Sequence, residues 1–348
     1  MTSDSPRSLD AGPRQPSTRA VSGPHDKLVR SVFAQMAHAA DELRAVLPPA
    51  VVAKLNWTTL ALQPGSFVDP TLRASLTDLL YRIETLGGAP LHLYVLFEHL
   101  SDAPRDRFIG LRLVRYMVRI WEALLQEQPS LERLPPIIPV VLSQSPKGFA
   151  VPAEFSDLLA IEPSLRTVLA PHLLSFRMIV DDLAALSDED LRRRQMRAAG
   201  LVTLLALKHA WDGLGDFLEG WADLLREMLA ADPDTVSRFL SYTLDVDGRT
   251  SLEEIEKRLV PLLGPDFGEL LMTTAQSLRD EGRQEGRQEG RQEGARLSAR
   301  RMLLRLLEVR FGEVPPRARA RVEAADTDEL DRWVDRVVTA KTLDEVLS

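Results

Sequence analysis

Along residues 24–47 the apolar positions recur at helical spacing. Leu28, Val32, Met36, Leu43 and Val46 fall towards one side of a helix that Pro48-Pro49 stops. Asp26 stands where an N-cap would. A short helix from about Ala50 and an extended piece around Thr59–Leu62 then lead to the turn Gly65-Ser-Phe-Val-Asp69-Pro70. Beyond it the period becomes two. Thr77–Ile83 and Leu91–Glu98 are short runs rich in Leu, Ile, Val and Tyr, separated by Gly87-Gly88-Ala89-Pro90, which predicts strand, turn, strand. In the second run His92, Tyr94, Leu96, Glu98 and Leu100 share one face, while Leu91, Leu93, Val95, Phe97 and His99 share the other. Both faces are largely apolar, as in a strand covered on both sides. The helical period returns at Phe108–Gln126, with Leu111, Val114, Val118 and Leu125 as the expected buried stripe and Arg112, Arg115, Arg119 and Glu122 on another face. Leu134–Leu142 reads as a further strand, which Pro139 assigns to an edge or an end. Strand, helix, strand in this order predicts a crossover, hence an α/β fold with a mixed β-sheet flanked by helices.

From Phe155 the pattern is helical, at about Ser187–Asp212, Phe217–Ala231, Pro233–Leu244 and Leu252–Leu263, with Trp211 and Trp221 read as core residues. Glu281-Gly-Arg-Gln then repeats through Gly294. At 100° per residue each repeat advances about 40°, so like residues form slowly winding stripes. Within the repeat no Glu meets an Arg at i+3 or i+4, and each Gly costs about 1 kcal/mol relative to Ala. The segment is therefore a weak lone helix, which either packs its Gly faces on a second chain or serves as a spacer. Arg296–Phe311 is amphipathic through Leu303, Leu306 and Leu307, Gly312 ends it, and two helices follow from near Pro315 and Asp326. The expected organisation is a disordered tail at 1–23, an α/β core at 24–150, a helical extension at 151–275, a repeat linker at 276–295 and a C-terminal helical module at 296–348.

Composition narrows the function classes. None of the 348 residues is cysteine, which excludes disulfides, thiolate nucleophiles and Cys-based zinc sites and agrees with a cytoplasmic location. There is no run of 18 apolar residues to span a membrane, and the polar start is unlike a secretory signal. The net charge of −8 weighs against a protein that simply coats nucleic acid. Local Arg groups, however, could track phosphates: Arg112, Arg115 and Arg119, and separately Arg192-Arg193-Arg194 with Arg197. Each group also reads as the charged face of a solvated helix.

The candidate chemistry is acidic. In an antiparallel pair Asp78, at the start of one strand, and Glu98, at the end of the next, come together at one margin of the sheet. Two carboxylates on adjacent strands are an ordinary way to hold Mg²⁺, which polarises a phosphodiester and lowers the pKa of a bound water. The same pair also reads as two solvated strand-end acids. Asp69 is a candidate third metal ligand or a local cap before Pro70, and Asp26 could approach the site or simply cap its helix. By strand parity His99 points away from Glu98.

Six blocks occur in one order: His25-Asp-Lys-Leu-Val-Arg-Ser-Val-Phe33, Gly65-Ser-Phe-Val-Asp69, Ser75-Leu-Thr-Asp-Leu-Leu-Tyr81, Tyr94-Val-Leu-Phe-Glu-His-Leu-Ser101, Leu113-Val-Arg-Tyr-Met-Val-Arg119 and Leu134-Pro-Pro-Ile-Ile-Pro-Val-Val-Leu142. Together they closely resemble the recombination-promoting nuclease family, of YhgA-like transposase type, from about Pro24 to the helices around residue 240. That family is similar to the PD-(D/E)XK nucleases, whose core is a mixed sheet flanked by helices. The resemblance implies Mg²⁺-dependent DNA cleavage, with Mn²⁺ as an alternative metal and Asp78 and Glu98 as ligands. The C-terminal module resembles a helical domain often appended after Glu-Gly-rich repeats, and could join copies of the chain. Two departures stand out. Leu100 replaces the polar Gln or Lys that orients water or stabilises charge two positions after the acid, and Ser143-Gln-Ser145 replaces the family's Tyr-His-Gly.

Overall fold

A computed structural model describes residues 23–64, 79–88, 90–98 and 107–348, with 90–98 given by backbone alone. The N-terminal tail through residue 22, the turn holding Asp69, and Asp78, His99 and Leu100 lie outside the described residues. The chain divides into two units, Met1–Met272 and Thr273–Ser348.

The first unit opens with two helices where the periodicity predicts one. Helix α1 (Pro24–Phe33) stops at Ala34 and α2 (Met36–Val46) restarts from Gln35, whose backbone is extended. The α1 N-cap is Gly23, followed by Pro24 at the first helical position, and Asp26 sits within the first turn instead of capping it. After α3 (Pro49–Val52), β1 (Leu55–Leu62) pairs antiparallel with β2 (Leu79–Thr85). Strand β2 pairs antiparallel with β3 (Pro90–Glu98) through the turn at Gly87-Gly88, where Gly88 takes a positive φ of 80°. Helix α4 (Ile109–Glu127) carries the chain across to β4 (Ile137–Ser143), which runs parallel to β3.

A fifth strand, β5 (Ile179–Asp182), follows α5 (Pro163–Leu169) and pairs parallel with β4, giving the order β1-β2-β3-β4-β5. The helical reading from Phe155 onward misses it, because four residues are too short to show a period of two. The fifth strand also makes β4 an interior strand. Pairing with β5 begins only at Val140, so Pro139 lies where β4 is flanked on one side alone.

The sheet is covered on both faces. On one face Ile109, Leu113, Tyr116, Ile120 and Leu124 of α4 pack with Leu80, Val141 and Met178. The expected stripe is displaced: Leu111, Val118 and Leu125 are exposed, because the Tyr and Ile positions give the wider apolar face. A Cβ at Gly110 would come 2.8 Å from Leu158 Cδ1 and 3.2 Å from Phe155 Cδ2, so the Leu158 side chain would have to shift to admit one. On the other face Leu79, Tyr81, Ile83, Val140 and Leu142 meet a helical layer. That layer consists of α1, α2, α6 (Asp188–Arg192), α7 (Ala198–Lys208), α8 (Ala222–Ala231), α9 (Pro233–Val246) and α10 (Leu252–Leu263). Helix α7 is buried all round from Ala198 to Leu207 and forms the centre of this layer. Trp221 is core, whereas Trp211 is 44% exposed and stacks on His25 at 6.2 Å.

The predicted Ser187–Asp212 helix breaks between α6 and α7, and ion pairs made by this connection hold the break. Arg194 grips both carboxylate oxygens of Asp181 on β5, at 2.6 and 2.8 Å, and reaches Glu42 of α2 at 3.3 Å. Arg197 binds Asp41 at 2.7 Å and the Ala37 carbonyl at 3.0 Å. Arg192 pairs with Asp223, and Arg193 with Glu189 and Asp190. This Arg group is therefore engaged in ion pairs within the fold. Glu42 and Asp181 are both buried. Burial first, then the neighbouring Asp181 charge, raise the Glu42 carboxyl well above its ordinary value, against the pull of Arg194.

In the second unit, the Thr273–Phe311 part of α11 (Pro265–Phe311) leads to α12 (Pro316–Ala324), α13 (Thr327–Thr339) and α14 (Leu343–Leu347). Leu303, Leu307, Val322, Leu330, Trp333 and Val346 form its core, and Gly312 ends α11 with a positive φ of 82°. Asp326 and Glu329 make the capping box of α13. The repeat is helical throughout. A Cβ at Gly282, Gly286, Gly290 or Gly294 would meet nothing within 4 Å, and ion pairs join Arg283 to Asp280 and Arg296 to Glu293 at its two ends.

Three expectations can be tested. Arg194→Ala strands two buried carboxyls and should lower stability by about 3–5 kcal/mol in denaturant titration. Because Glu42 titrates higher folded than unfolded, the native state holds a proton that the unfolded chain has released. Its contribution to stability is therefore fullest below the ordinary carboxylate range and falls as pH rises through the raised value; Glu42→Gln should flatten that decline. In the repeat, replacing the four open glycines by Ala should slow amide exchange there, each replacement favouring the helix by about 1 kcal/mol. Unchanged exchange would mean that other contacts already hold the helix.

Candidate functional site

The carboxyl ends of parallel strands are where open α/β sheets present ligand sites, because the crossovers leave a crevice there. In this sheet β3, β4 and β5 end together. Glu98 is the last residue of β3 and pairs in register with Ser143, the last of β4, which pairs in register with Asp182, the last of β5. Leu79, next to Asp78, is the first described residue of β2 and pairs with Val95 in β3, three residues before Glu98. The register therefore sets the described start of β2 against the carboxyl end of β3.

The residues after β4 turn back over this end. Ser143, Gln144 and Ser145 are all buried, and the Gly148 N–H donates to the Ser145 carbonyl at 2.9 Å. Asp182 is tied down, with Oδ2 accepting from the Phe149 N–H at 2.8 Å and Oδ1 from the Ala184 N–H at 3.3 Å. Ser143 differs. Its side chain is fully buried, and Oγ has no hydrogen-bond partner among the described residues. A buried orphan hydroxyl is uncommon and costs about 1–3 kcal/mol. Only the departure of Ser143-Gln-Ser145 from the family pattern signals this position in the sequence.

The other candidates are dispersed. Arg112 of α4 is half-buried, Arg115 is exposed, and Arg119 pairs with Glu122 at 2.9 Å on the exposed surface. Asp26 is partly buried in α1, with Oδ1 unpartnered among the described residues. Its neighbour His25 pairs through Nδ1 with the Tyr242 hydroxyl at 2.8 Å. Asp69 and Asp78 lie outside the described residues. Oxygen donors at this end, Glu98 with the orphan Ser143 hydroxyl, are of the type that suits a hard divalent cation such as Mg²⁺. Among the described residues no three His, Asp or Glu side chains cluster in a way that could hold a metal. Nor, among the described residues, is any helix long and apolar enough to cross a membrane.

Comparison with known proteins places these features in context. The recombination-promoting nuclease RpnA of Escherichia coli (strain K12) is 28% identical over 266 residues, covering 76% of this chain and 87% of the relative. The inactive recombination-promoting nuclease-like protein RpnE of the same strain is 30% identical over 275 residues, covering 75% and 83%. The recombination-promoting nuclease RpnD of Escherichia coli O157:H7 is 25% identical over 266 residues, covering 75% and 96%. No solved structure matches the chain. Residues 23–236, which hold the five-stranded sheet and most of the helical layer behind it, match the family described as "Putative transposase, YhgA-like", and the chain belongs to that family.

Proposed function

We propose that this protein is a Mg²⁺-dependent DNA endonuclease of recombination or transposition, working in the cytoplasm, with Asp78 and Glu98 as metal ligands and water as the nucleophile. The observation that carries the reading is the position of Glu98, at the carboxyl end of β3 between an antiparallel and a parallel neighbour, in a chain whose relatives include named nucleases. A mixed sheet flanked by helices, with the acid at a strand end, supports a PD-(D/E)XK-like core. A bound Mg²⁺, or Mn²⁺ in its place, would polarise the phosphodiester and make water acidic enough to attack. The chain's own part is to hold the acids on a rigid sheet and to bring DNA to them. Asp69 would add a third oxygen ligand. Arg112, Arg115 and Arg119 would contact phosphate, and the exposed Arg119–Glu122 pair, of a kind worth at most about 1 kcal/mol, opens cheaply for that purpose. The repeat and C-terminal helices would join copies of the chain.

A second reading has its own observation. Leu100 cannot orient water, and two relatives carry names that call them inactive. On this reading the chain keeps the fold and binds or assembles on DNA without cutting it.

Purified protein and supercoiled plasmid separate the two. Nicking should require Mg²⁺ or Mn²⁺, stop with EDTA, and fall at least about 100-fold in Asp78→Ala and Glu98→Gln. Salt-dependent binding with no nicking in any metal, and nicking gained in Leu100→Gln, would establish the second reading instead.

A further inference from the structure

The part of α11 that carries the repeat sorts its charges by side. At 100° per residue Arg283, Arg287, Arg291, Arg301 and Arg305 fall within about 80° of one another, whereas the Glu positions of the repeat, 281, 285, 289 and 293, fall on the other side of the helix. All of these arginines are exposed. Asp280 and Glu308 stand at the two ends of the stripe. Asp280 pairs with Arg283 at 3.5 Å, and Glu308 is taken by Arg319 of α12 at 2.7 Å. Arg287, Arg291, Arg301 and Arg305 join no ion pair among the described residues. A solvated helix gains support by setting opposite charges three or four residues apart, but within the repeat each Arg stands four from another Arg. The sorting weakens the helix on its own, and a polyanion laid along the stripe would relieve it.

We propose that this side of α11 is a second DNA-binding surface, which takes the phosphate backbone of a duplex. Charge argues for the ligand. Phosphates are bound chiefly through Arg and Lys, and the stripe is basic although the whole chain carries −8. Length argues for a duplex, because from Arg283 to Arg305 the helix rises about 33 Å, close to one turn of DNA at about 34 Å. Composition argues against a single strand, whose bases are held by stacking on aromatic rings; residues 283–305 contain no Phe, Trp, Tyr or His. Contacts to phosphate position a duplex without reading it, so binding here is indifferent to sequence. The surface lies wholly within the second unit, apart from the candidate site of the first. It shares with the nuclease reading only the polymer that is bound and does not depend on cleavage.

The test uses the full chain with a short fluorescent DNA duplex in EDTA, titrated at a series of salt concentrations. The variant joins Arg287→Gln, Arg291→Gln, Arg301→Gln and Arg305→Gln, and Gln keeps the helix because its helical preference is close to that of Arg. A control variant, Glu281→Gln with Glu293→Gln, changes the other side. The arginine variant should bind at least about 10-fold more weakly at low salt, and the slope of log K against log salt should become shallower by about 3–4. The control should bind as tightly as the wild type or more tightly, and circular dichroism should show equal helix in all three proteins. Wild-type affinity and slope in the arginine variant would overturn the proposal, as would a wild type that binds single strands or anionic lipid vesicles as tightly as the duplex. Plasmid nicking in Mg²⁺, measured separately, tells the two readings apart. Nicking with no part for the stripe leaves the nuclease standing alone, and binding through the stripe without nicking leaves the second surface standing alone.

Discussion

Parallel strands cannot be joined by a tight turn, and that constraint organises the first unit. Once β4 lies parallel to β3, the chain must cross the sheet, and α4 is the crossing element, with its Ile and Tyr stripe buried on the sheet face it covers. The return to a parallel β5 makes the same demand again. Both faces are then covered, and the three strand ends carrying Glu98, Ser143 and Asp182 meet at one margin. The site geometry is a consequence of topology before any side chain is chosen.

The fold was legible wherever a period ran long enough to repeat. The hairpin, the crossover and the helices of the C-terminal unit follow from spacing and turn residues. Strand β5 was illegible, because four residues between helices carry too little pattern. The break between α6 and α7 was illegible for another reason. It is held by Arg194 and Arg197 reaching Asp181, Glu42 and Asp41, and all but the first of these partners are more than 150 positions away. The misplaced stripe of α4 shows a third limit. A helix with apolar residues on several sides does not announce which side is covered, and Tyr116 counts towards the buried face though a binary pattern treats it as ambiguous.

At the candidate site the balance is reversed. Glu98 was visible because an acid at the end of an apolar strand violates the local pattern, and such violations concentrate at functional positions. Ser143 breaks no local pattern, and only its departure from the family's residues marks it, until burial shows that its hydroxyl pairs with nothing among the described residues.

The ion-paired connection at Arg194 also governs how the chain can be divided. Strand β5 completes the sheet from beyond residue 150, and its Asp181 is fastened by an arginine from the helical layer. A fragment cut near residue 150 would expose β4 as a bare parallel edge, with unpaired N–H and C=O groups along an apolar strand, a template for joining sheets of other molecules. The helical layer is thus part of what keeps the sheet a single molecule.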